Sequence, residues 1–338
     1  MSKEHRVLTG ITTTGVPHLG NLVGAVLPAI KASERKDTTS FLFLADYHSL
    51  IKSSDSELRH RSSFDIAACW LACGLDPKKV IFYRQSDIPH IFELAWILSC
   101  LASKGLLNRA HAYKAATTDN EANKTKDIDK GINMGLFNYP VLMAADILMF
   151  KADAVPVGQD QKQHIEMTRD IALKFNHHYG DILTPPEAVI DEHTGVLPGI
   201  DGRKMSKSYN NTISLREDTE TVKKKVNRMP TDPARIKLTD PGDPNKCPVW
   251  QMHQIYSSDE TLSWVKEGCT KAKIGCIECK KPIVDSINSE LEPIQEEITK
   301  YESNPNLIQE IIFEGSERAR IVARTTMDEV RDAMGITY

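Results

Sequence analysis

The sequence lacks any long uncharged apolar run. No stretch of about 18 such residues occurs, and a membrane-spanning helix needs a run of roughly that length. The first six residues carry charged side chains and lack the apolar centre of a secretory signal. We therefore expect a cytoplasmic protein without a membrane segment.

An excess of basic charge is also missing. The chain has 42 lysines and arginines against 46 acidic residues, for a formal net charge of −4. This balance excludes a surface covered in basic residues for indiscriminate nucleic-acid binding, although it leaves room for a local basic patch. With 41% hydrophobic residues over 338 positions, we expect a globular protein of two domains.

The first half of the chain alternates short apolar runs with amphipathic segments. This alternation predicts an α/β fold with a doubly wound, parallel, Rossmann-type sheet. The candidate strands are residues 6–9, 41–45, 80–83 and 154–157, and the clearest helices are residues 56–75 and 92–103.

The second half is predicted to be mostly helical. Amphipathic stretches at residues 282–301 and 307–334 have helical spacing. We place the domain boundary near Leu215, which separates an α/β domain (1–214) from a helical domain (215–338). Residues 112–130 are polar and are predicted to form a surface loop or insertion.

A turn rich in glycine, threonine and proline follows the first predicted strand and leads into a helix. Gly10, Gly15 and Gly20 allow the backbone to approach a ligand closely, and a helix N-terminus favours a phosphate. His18 and Asn21 lie three residues apart, so both face one ligand. Taken alone, a segment of this composition is more often a plain connecting turn.

A second segment, residues 201–208, contains Lys204 and Lys207 in the run Lys-Met-Ser-Lys-Ser. Ammonium groups suit a nucleoside triphosphate, because phosphoryl and nucleotidyl transfer depend on positioning and on stabilisation of developing negative charge. A solvated loop is the alternative explanation. The two segments together predict one nucleotide site.

These two segments resemble the signatures of class I aminoacyl-tRNA synthetases. Residues 17–21 are similar to the His-Ile-Gly-His signature, and residues 204–208 match the Lys-Met-Ser-Lys-Ser signature letter for letter. The resemblance implies a Rossmann catalytic domain with a mobile lysine loop at 201–209, followed by a tRNA-binding helical domain. It also implies ATP and Mg²⁺, and assigns catalytic roles to His18, Asn21, Lys204 and Lys207.

Residues 139–148 predict a helix with Pro140 in its first turn. Tyr139, Met143 and Asp146 then share one face. A ring, a thioether and a carboxylate suit a flat aromatic side chain with one N–H or O–H donor, which leaves tryptophan and tyrosine open. A buried amphipathic helix without a binding role is a further alternative.

Residues 139–148 and 156–164 closely resemble the tryptophanyl-tRNA synthetases. The resemblance implies a homodimer that activates L-tryptophan with ATP and transfers it to tRNA(Trp), releasing AMP and pyrophosphate. A tyrosine-specific ligase, a nucleotidyltransferase of the same superfamily and an inactive tRNA-binding homologue are the alternatives.

The same resemblance implies two sets of binding residues. Those for tryptophan are His48, Tyr139, Met143, Asp146, Val157 and Gln161. Those for ATP are Thr12, Thr13, Thr14, Gly20, Asn21, Gly158, Gln159, Asp160, Leu197, Lys204, Met205, Ser206, Lys207 and Ser208. Thr12, Thr13 and Thr14 stand where many relatives have Gln-Pro-Ser, which leaves the role of Thr12 open.

Four cysteines crowd the C-terminal third of the chain. Cys247, Cys269, Cys276 and Cys279 are separated by 21, 6 and 2 residues. Four thiolates suit zinc or a [4Fe–4S] cluster, and four unrelated thiols are the alternative. The spacing resembles an iron-sulfur subset of the family, which implies a [4Fe–4S] cluster, with Zn²⁺ as the second choice.

Lysines surround this cysteine segment. They are predicted either to contact tRNA phosphates or to form a solvated face. The lysines concerned are Lys271, Lys273, Lys280 and Lys281.

Overall fold

A five-stranded parallel sheet forms the centre of the protein. The computed structural model describes residues 5–13, 15–51, 53–190 and 197–337. The strands are β1 (His5–Thr12), β2 (Thr38–Ala45), β3 (Ile81–Arg84), β4 (Ala154–Pro156) and β5 (Glu187–Val189), and their order in the sheet is β3-β2-β1-β4-β5. The predicted doubly wound α/β fold is confirmed, and each of the four predicted strands is present. Strand β5 was not predicted, because it has only three residues, two of them exposed, and lacks the apolar run of a buried strand.

Helices cover both faces of the sheet, and none in the described part of the chain is long and apolar enough to cross a membrane. They are α1 (Leu19–Asn21), α2 (Leu27–Ser33), α3 (Asp46–Ser49), α4 (Ser56–Ala72), α5 (His90–Leu101), α6 (Lys104–Leu107), α7 (His111–Ala122), α8 (Met134–Met149), α9 (Lys162–Tyr179), α10 (Thr219–Arg228), α11 (Pro248–Tyr256), α12 (Asp259–Thr270), α13 (Cys276–Ser303) and α14 (Pro305–Met334).

Helix α8 begins earlier than the sequence predicts. The side-chain oxygen of Asn133 accepts a hydrogen bond from the Leu136 N–H and caps the helix. Pro140 therefore lies inside the helix rather than in its first turn, and the expected position of Pro140 was wrong. The face that Tyr139, Met143 and Asp146 share is nevertheless retained, because all three line one cavity.

The polar segment 112–130 lies on the surface, but half of it is helical. Helix α7 runs through Ala122, and the side chain of Tyr113 anchors it by donating to Asp129 at 2.7 Å. The Asn120 amide then donates to the carbonyls of Ile128 and Lys130 and closes the following turn. The segment is therefore a partly helical surface insertion rather than a loop.

Two apolar cores lie on the two faces of the sheet. One is formed by α5, α8, α9 and the second half of α14, and the other by α4, α10, α11 and α13. Helix α14 packs directly on β3 at Gly315, where an added Cβ would lie 1.8 Å from the Phe82 carbonyl oxygen. The helical second half thus shares both cores with the sheet, and the boundary near Leu215 stays a prediction.

Candidate active site

A cavity of about 680 Å³ opens at the carboxyl ends of β1 and β4. Neighbouring parallel strands that lead to opposite faces of a sheet form a crevice there, which is the usual ligand position in open α/β folds. The cavity is lined by nine of the residues predicted to bind tryptophan or ATP, namely Thr12, His48, Tyr139, Met143, Asp146, Val157, Gly158, Asp160 and Gln161.

Asp146 is a buried carboxylate at one end of this cavity. Its side chain is 1% exposed, and burial raises its pKa. Its Oδ2 lies 2.8 Å from Nε2 of His48, and the Gln85 amide donates to Oδ1 at 2.8 Å and to Oδ2 at 3.0 Å. Both carboxylate oxygens therefore have hydrogen-bond partners, as a buried polar group requires.

A chain of hydrogen bonds runs along the other side of the cavity. The Tyr139 hydroxyl lies 2.6 Å from Nε2 of His164, whose Nδ1 lies 3.0 Å from Oε1 of Gln161. The Gln161 amide donates to Asp160 at 3.2 Å, and Asp160 lies 3.9 Å from the Lys204 ammonium. These contacts connect the tryptophan-side residues to the lysine loop.

His18 and Asn21 cap the first helix reciprocally. The Asn21 N–H donates to His18 Nδ1 at 3.3 Å, and the His18 N–H donates to Asn21 Oδ1 at 3.2 Å. Burial, together with the charge of Lys207, lowers the pKa of His18 to about 4, so the ring is neutral near pH 7. Because Nδ1 accepts a hydrogen bond, the ring proton is on Nε2, where it is available as a donor.

The two signature segments lie side by side. The Lys207 ammonium donates to the Gly15 carbonyl at 2.8 Å, and the Gly20 N–H donates to Met205 Sδ at 3.4 Å. Leu19 N–H also donates to the Ile213 carbonyl at 2.9 Å. Partial burial lowers the pKa of Lys207 to about 8. The structure thus brings together the two segments that the sequence analysis assigned to one nucleotide.

Asn211 organises the lysine loop. Its side chain is 1% exposed, accepts from Ser206 N–H at 2.7 Å, and donates to Asp201 at 2.7 Å and to the Lys204 carbonyl at 3.0 Å. Met205 is buried, and its N–H donates to the Leu197 carbonyl at 2.9 Å. These contacts give the loop a defined shape.

Some of the predicted ATP residues do not line the cavity. His18, Gly20, Asn21 and the lysine loop, including Lys204, Lys207 and Ser208, lie beside it around the two signature segments. Gln159 is exposed, and Thr13 is buried with no partner for its hydroxyl among the described residues. Thr14 lies outside the described residues.

Three polar residues of this site were not predicted from the sequence, namely Gln85, His164 and Asn211. Gln85 follows β3 as one polar residue among several, so no local pattern marks it. His164 belongs to the segment that resembles the synthetases, and Asn211 follows the lysine signature by three residues. Proximity to those two motifs was therefore the available signal for the latter pair.

The four C-terminal cysteines lie near one another. Burial and the three neighbouring thiols raise the pKa of Cys279 to about 12, and burial with the Cys247 and Cys276 thiols raises that of Cys269. Within residues 5–13, 15–51, 53–190 and 197–337, however, no group of three or more His, Cys, Asp or Glu side chains is arranged to hold a metal ion.

The neighbouring lysines have different environments. Lys280 is buried, and its ammonium donates to the carbonyls of Asn227 at 2.8 Å and Met229 at 2.7 Å, so it was wrongly expected to contact phosphates or lie on a solvated face. Lys271 and Lys273 are exposed and pair with Glu267. Lys280 instead ties α13 to the end of α10.

Comparisons with known proteins agree with this geometry. Residues 1–292 match the family described as tRNA synthetases class I (W and Y). The chain is 50% identical over 340 residues to a tryptophan–tRNA ligase of Neisseria meningitidis, covering 99% of both chains.

Two solved structures have the same fold. Tryptophanyl-tRNA synthetase from Campylobacter jejuni, complexed with ADP and tryptophan, is 37% identical with a TM-score of 0.84, covering 98% of this chain and 99% of that one. The Mycoplasma pneumoniae tryptophanyl-tRNA synthetase is 28% identical with a TM-score of 0.82, covering 99% and 98%.

Proposed function

The chain belongs to the class I tRNA synthetases for tryptophan and tyrosine, and we propose that it charges tRNA(Trp) with L-tryptophan. In this reaction the tryptophan carboxylate attacks the α-phosphorus of ATP and expels pyrophosphate. A hydroxyl of the terminal adenosine of tRNA then attacks the adenylate and releases AMP. The buried carboxylate of Asp146 in the cavity supports an aromatic substrate with a hydrogen-bond donor, and the tryptophan–tRNA ligase relatives favour tryptophan over tyrosine.

Asp146 selects a side chain that donates one hydrogen bond. An ionised carboxylate is an acceptor, so the indole N–H satisfies it, whereas phenylalanine leaves a buried charge without a partner. Sites of this kind discriminate by about 10⁴- to 10⁵-fold without editing. In the proposal, Met143 and Val157 contact the indole, and His48 helps to hold Asp146.

Tyr139 and Gln161 hold the tryptophan ammonium group in this proposal. Both offer oxygen acceptors at the cavity wall, and His164 lies between them at 2.6 Å and 3.0 Å. This arrangement fixes the amino acid so that its carboxylate faces the ATP side. Positioning of this kind converts an encounter of two molecules into a reaction within one complex.

ATP occupies the space between the two signature segments, and magnesium enters with it as part of the substrate. Gly158 and Asp160 face the ribose, and Gln159 lies beside them. His18 donates from Nε2 and Asn21 from its amide to the phosphates.

The lysine loop completes the ATP site. Lys204 and Lys207 stabilise the negative charge that develops on pyrophosphate. Other predicted residues shape the surrounding backbone, namely Thr12, Thr13, Gly20, Leu197, Met205, Ser206 and Ser208.

The test is ATP–pyrophosphate exchange measured with each of the twenty amino acids. We expect tryptophan alone to stimulate exchange, and aminoacylation to require tRNA(Trp). Stimulation by tyrosine instead would contradict the assigned amino acid. No exchange with any amino acid, from folded protein, would contradict the enzyme class.

We further propose that Cys247, Cys269, Cys276 and Cys279 hold a [4Fe–4S] cluster in the tRNA-binding half, residues 215–338. The Arg235 guanidinium, 3.9 Å from Cys269 Sγ, supports this proposal, because its charge opposes the burial that raises the pKa of that thiol and so favours the thiolate that a cluster needs. The cluster is structural or contributes to anticodon contact, and it has no redox role because the proposed reaction transfers no electrons. Iron and sulfide analysis of anaerobically purified protein tests this. Zinc instead of iron and sulfide would support the alternative metal. The absence of both iron and zinc would contradict a metal site.

The homodimer implied by the family resemblance is also part of the proposal. Trp96 and Met134 are each 73% exposed, and Tyr47, 40% exposed, contacts the ring of Phe92 on the same helix as Trp96. A contiguous patch of such side chains is typical of an interface, and we propose that the second subunit covers them. Light scattering of the purified protein should give twice the chain mass. We also propose a cytoplasmic location, where tRNA is charged for protein synthesis.

A further inference from the structure

Gln85 lies at the base of the tryptophan cavity without lining it. It follows β3 directly, and its side chain is 0% exposed. Losing water around both ends of an amide is costly unless each end has a hydrogen-bond partner. A glutamine here therefore needs polar partners, and the structure supplies them at both ends.

The orientation of the Gln85 amide is determined by its neighbours. The Tyr47 backbone N–H donates to Oε1 at 3.1 Å, and a backbone N–H can only donate. The oxygen must therefore face Tyr47, which leaves Nε2 facing Asp146. Nε2 lies 2.8 Å from Oδ1 and 3.0 Å from Oδ2. The glutamine consequently offers Asp146 a donor in a fixed direction.

The remaining contact of Asp146 comes from the same small region. His48 Nε2 lies 2.8 Å from Oδ2, and His48 belongs to α3, the helix whose Tyr47 N–H holds Gln85. Oδ1 has Gln85 as its partner among the described residues and retains a lone pair for a ligand. Gln85 thus controls the oxygen best placed to accept a new hydrogen bond.

We propose that Gln85 is a specificity-determining residue, which holds Asp146 as an ionised, correctly turned acceptor for the indole N–H. The inference rests on the proposed function. Without the Gln85 donor, the carboxylate either rotates or takes up a proton and becomes a donor itself. In both cases the site loses its preference for a ligand that donates, while the apolar walls still accept an indole-sized ring.

The experiment compares tryptophan with 3-benzothienylalanine, in which sulfur replaces the indole N–H. Pyrophosphate exchange gives kcat/KM for each in wild-type protein and in Gln85→Met, which keeps the side-chain length. We expect the ratio of the two values to fall by about 10- to 100-fold, because one charge-assisted hydrogen bond is lost. A purely structural role would lower both values and leave their ratio unchanged.

Gln295→Met is the matched control. Gln295 on α13 also makes two hydrogen bonds, to the carbonyls of Leu215 and Glu217 at 2.9 Å each, but it does not line the cavity. Its loss should leave the ratio unchanged. If Gln85→Met fails to fold, Gln85→Ala, which adds no atoms to a packed interior, gives the same comparison.

The outcomes separate the two proposals. A wild-type ratio retained in folded Gln85 variants would overturn the role of Gln85 alone. Wild-type protein that shows no tryptophan-dependent exchange would overturn the proposed function itself.

Discussion

The ammonium of Lys207 donates a hydrogen bond to the carbonyl of Gly15, 192 residues earlier in the chain, at 2.8 Å. Gly15 has a φ of +87°, a left-handed conformation that favours glycine, so its carbonyl is presented by a turn that other residues rarely adopt. This contact closes the lysine loop against the first signature segment. In the proposed mechanism, ATP phosphates compete with the Gly15 carbonyl for the same ammonium, and we expect ATP to replace this contact.

Lys207→Ala should leave tryptophan binding nearly unchanged and slow pyrophosphate exchange by at least about 100-fold, because the charge that stabilises the leaving group is gone. Equilibrium binding of tryptophan and exchange kinetics check the two parts. Lys224→Ala, at an exposed position on α10, is the matched control and should retain exchange. A wild-type exchange rate in Lys207→Ala would contradict the proposed mechanism.

The pH dependence of exchange should report the lowered pKa of Lys207. The charged form is the active one, and it is lost as pH rises through about 8, the pKa of Lys207 in the structure. We therefore expect kcat/KM for ATP to fall above pH 8, rather than near pH 10.4 as for an ordinary lysine. In Lys207→Arg the decline should move to higher pH. An identical decline in both proteins would exclude Lys207 as its source.

Asn211→Ala should loosen the lysine loop. The variant removes a buried amide and its three hydrogen bonds, which join Asp201, the Lys204 carbonyl and the Ser206 N–H. We expect exchange to fall by about tenfold or more and proteolysis within residues 201–209 to accelerate. The neighbouring Asn210→Gly, which keeps the left-handed backbone at φ +50°, should behave like wild type. Equal proteolysis of both variants would contradict this role.

Gly315→Ala should destabilise the fold. A Cβ at this position would lie 1.8 Å from a backbone oxygen of β3, so α14 must move away from the sheet. We expect the free energy of unfolding to fall by at least about 2 kcal/mol, measured by urea denaturation. Gly105→Ala in α6, whose Cβ meets nothing within 4 Å, should be neutral or stabilising. Similar values for both variants would refute the tight helix–strand contact.

Local patterns predicted most of the fold but only part of the site. The apolar runs of β1 to β4 and the amphipathic spacing of α4, α5, α13 and α14 are properties of neighbouring residues, so sequence reasoning finds them. The partners of Gln85 and Asn211 depend on how distant segments pack. Gln85 meets Asp146 across 61 residues, and no short window contains that relationship.

The signature segments were predictable for a different reason. Their residue types match the chemistry of a triphosphate, and the expected approach of Lys207 to the first segment requires no knowledge of the intervening chain. Pro140 shows the limit of that approach. The start of α8 depends on Asn133, which caps the helix one turn and a half earlier than the proline suggests.

The position of helix α14 determines when the apolar core can be completed during synthesis. Its residues Ala319, Ala323, Met327 and Val330 belong to the same core as β3, α5 and α8, which are synthesised more than 150 residues earlier. Domains usually fold as units during synthesis, N-terminal first. Here the nascent chain exposes part of this apolar core after all five strands have been synthesised. That surface is open to chaperone binding until α14 leaves the ribosome and packs on it.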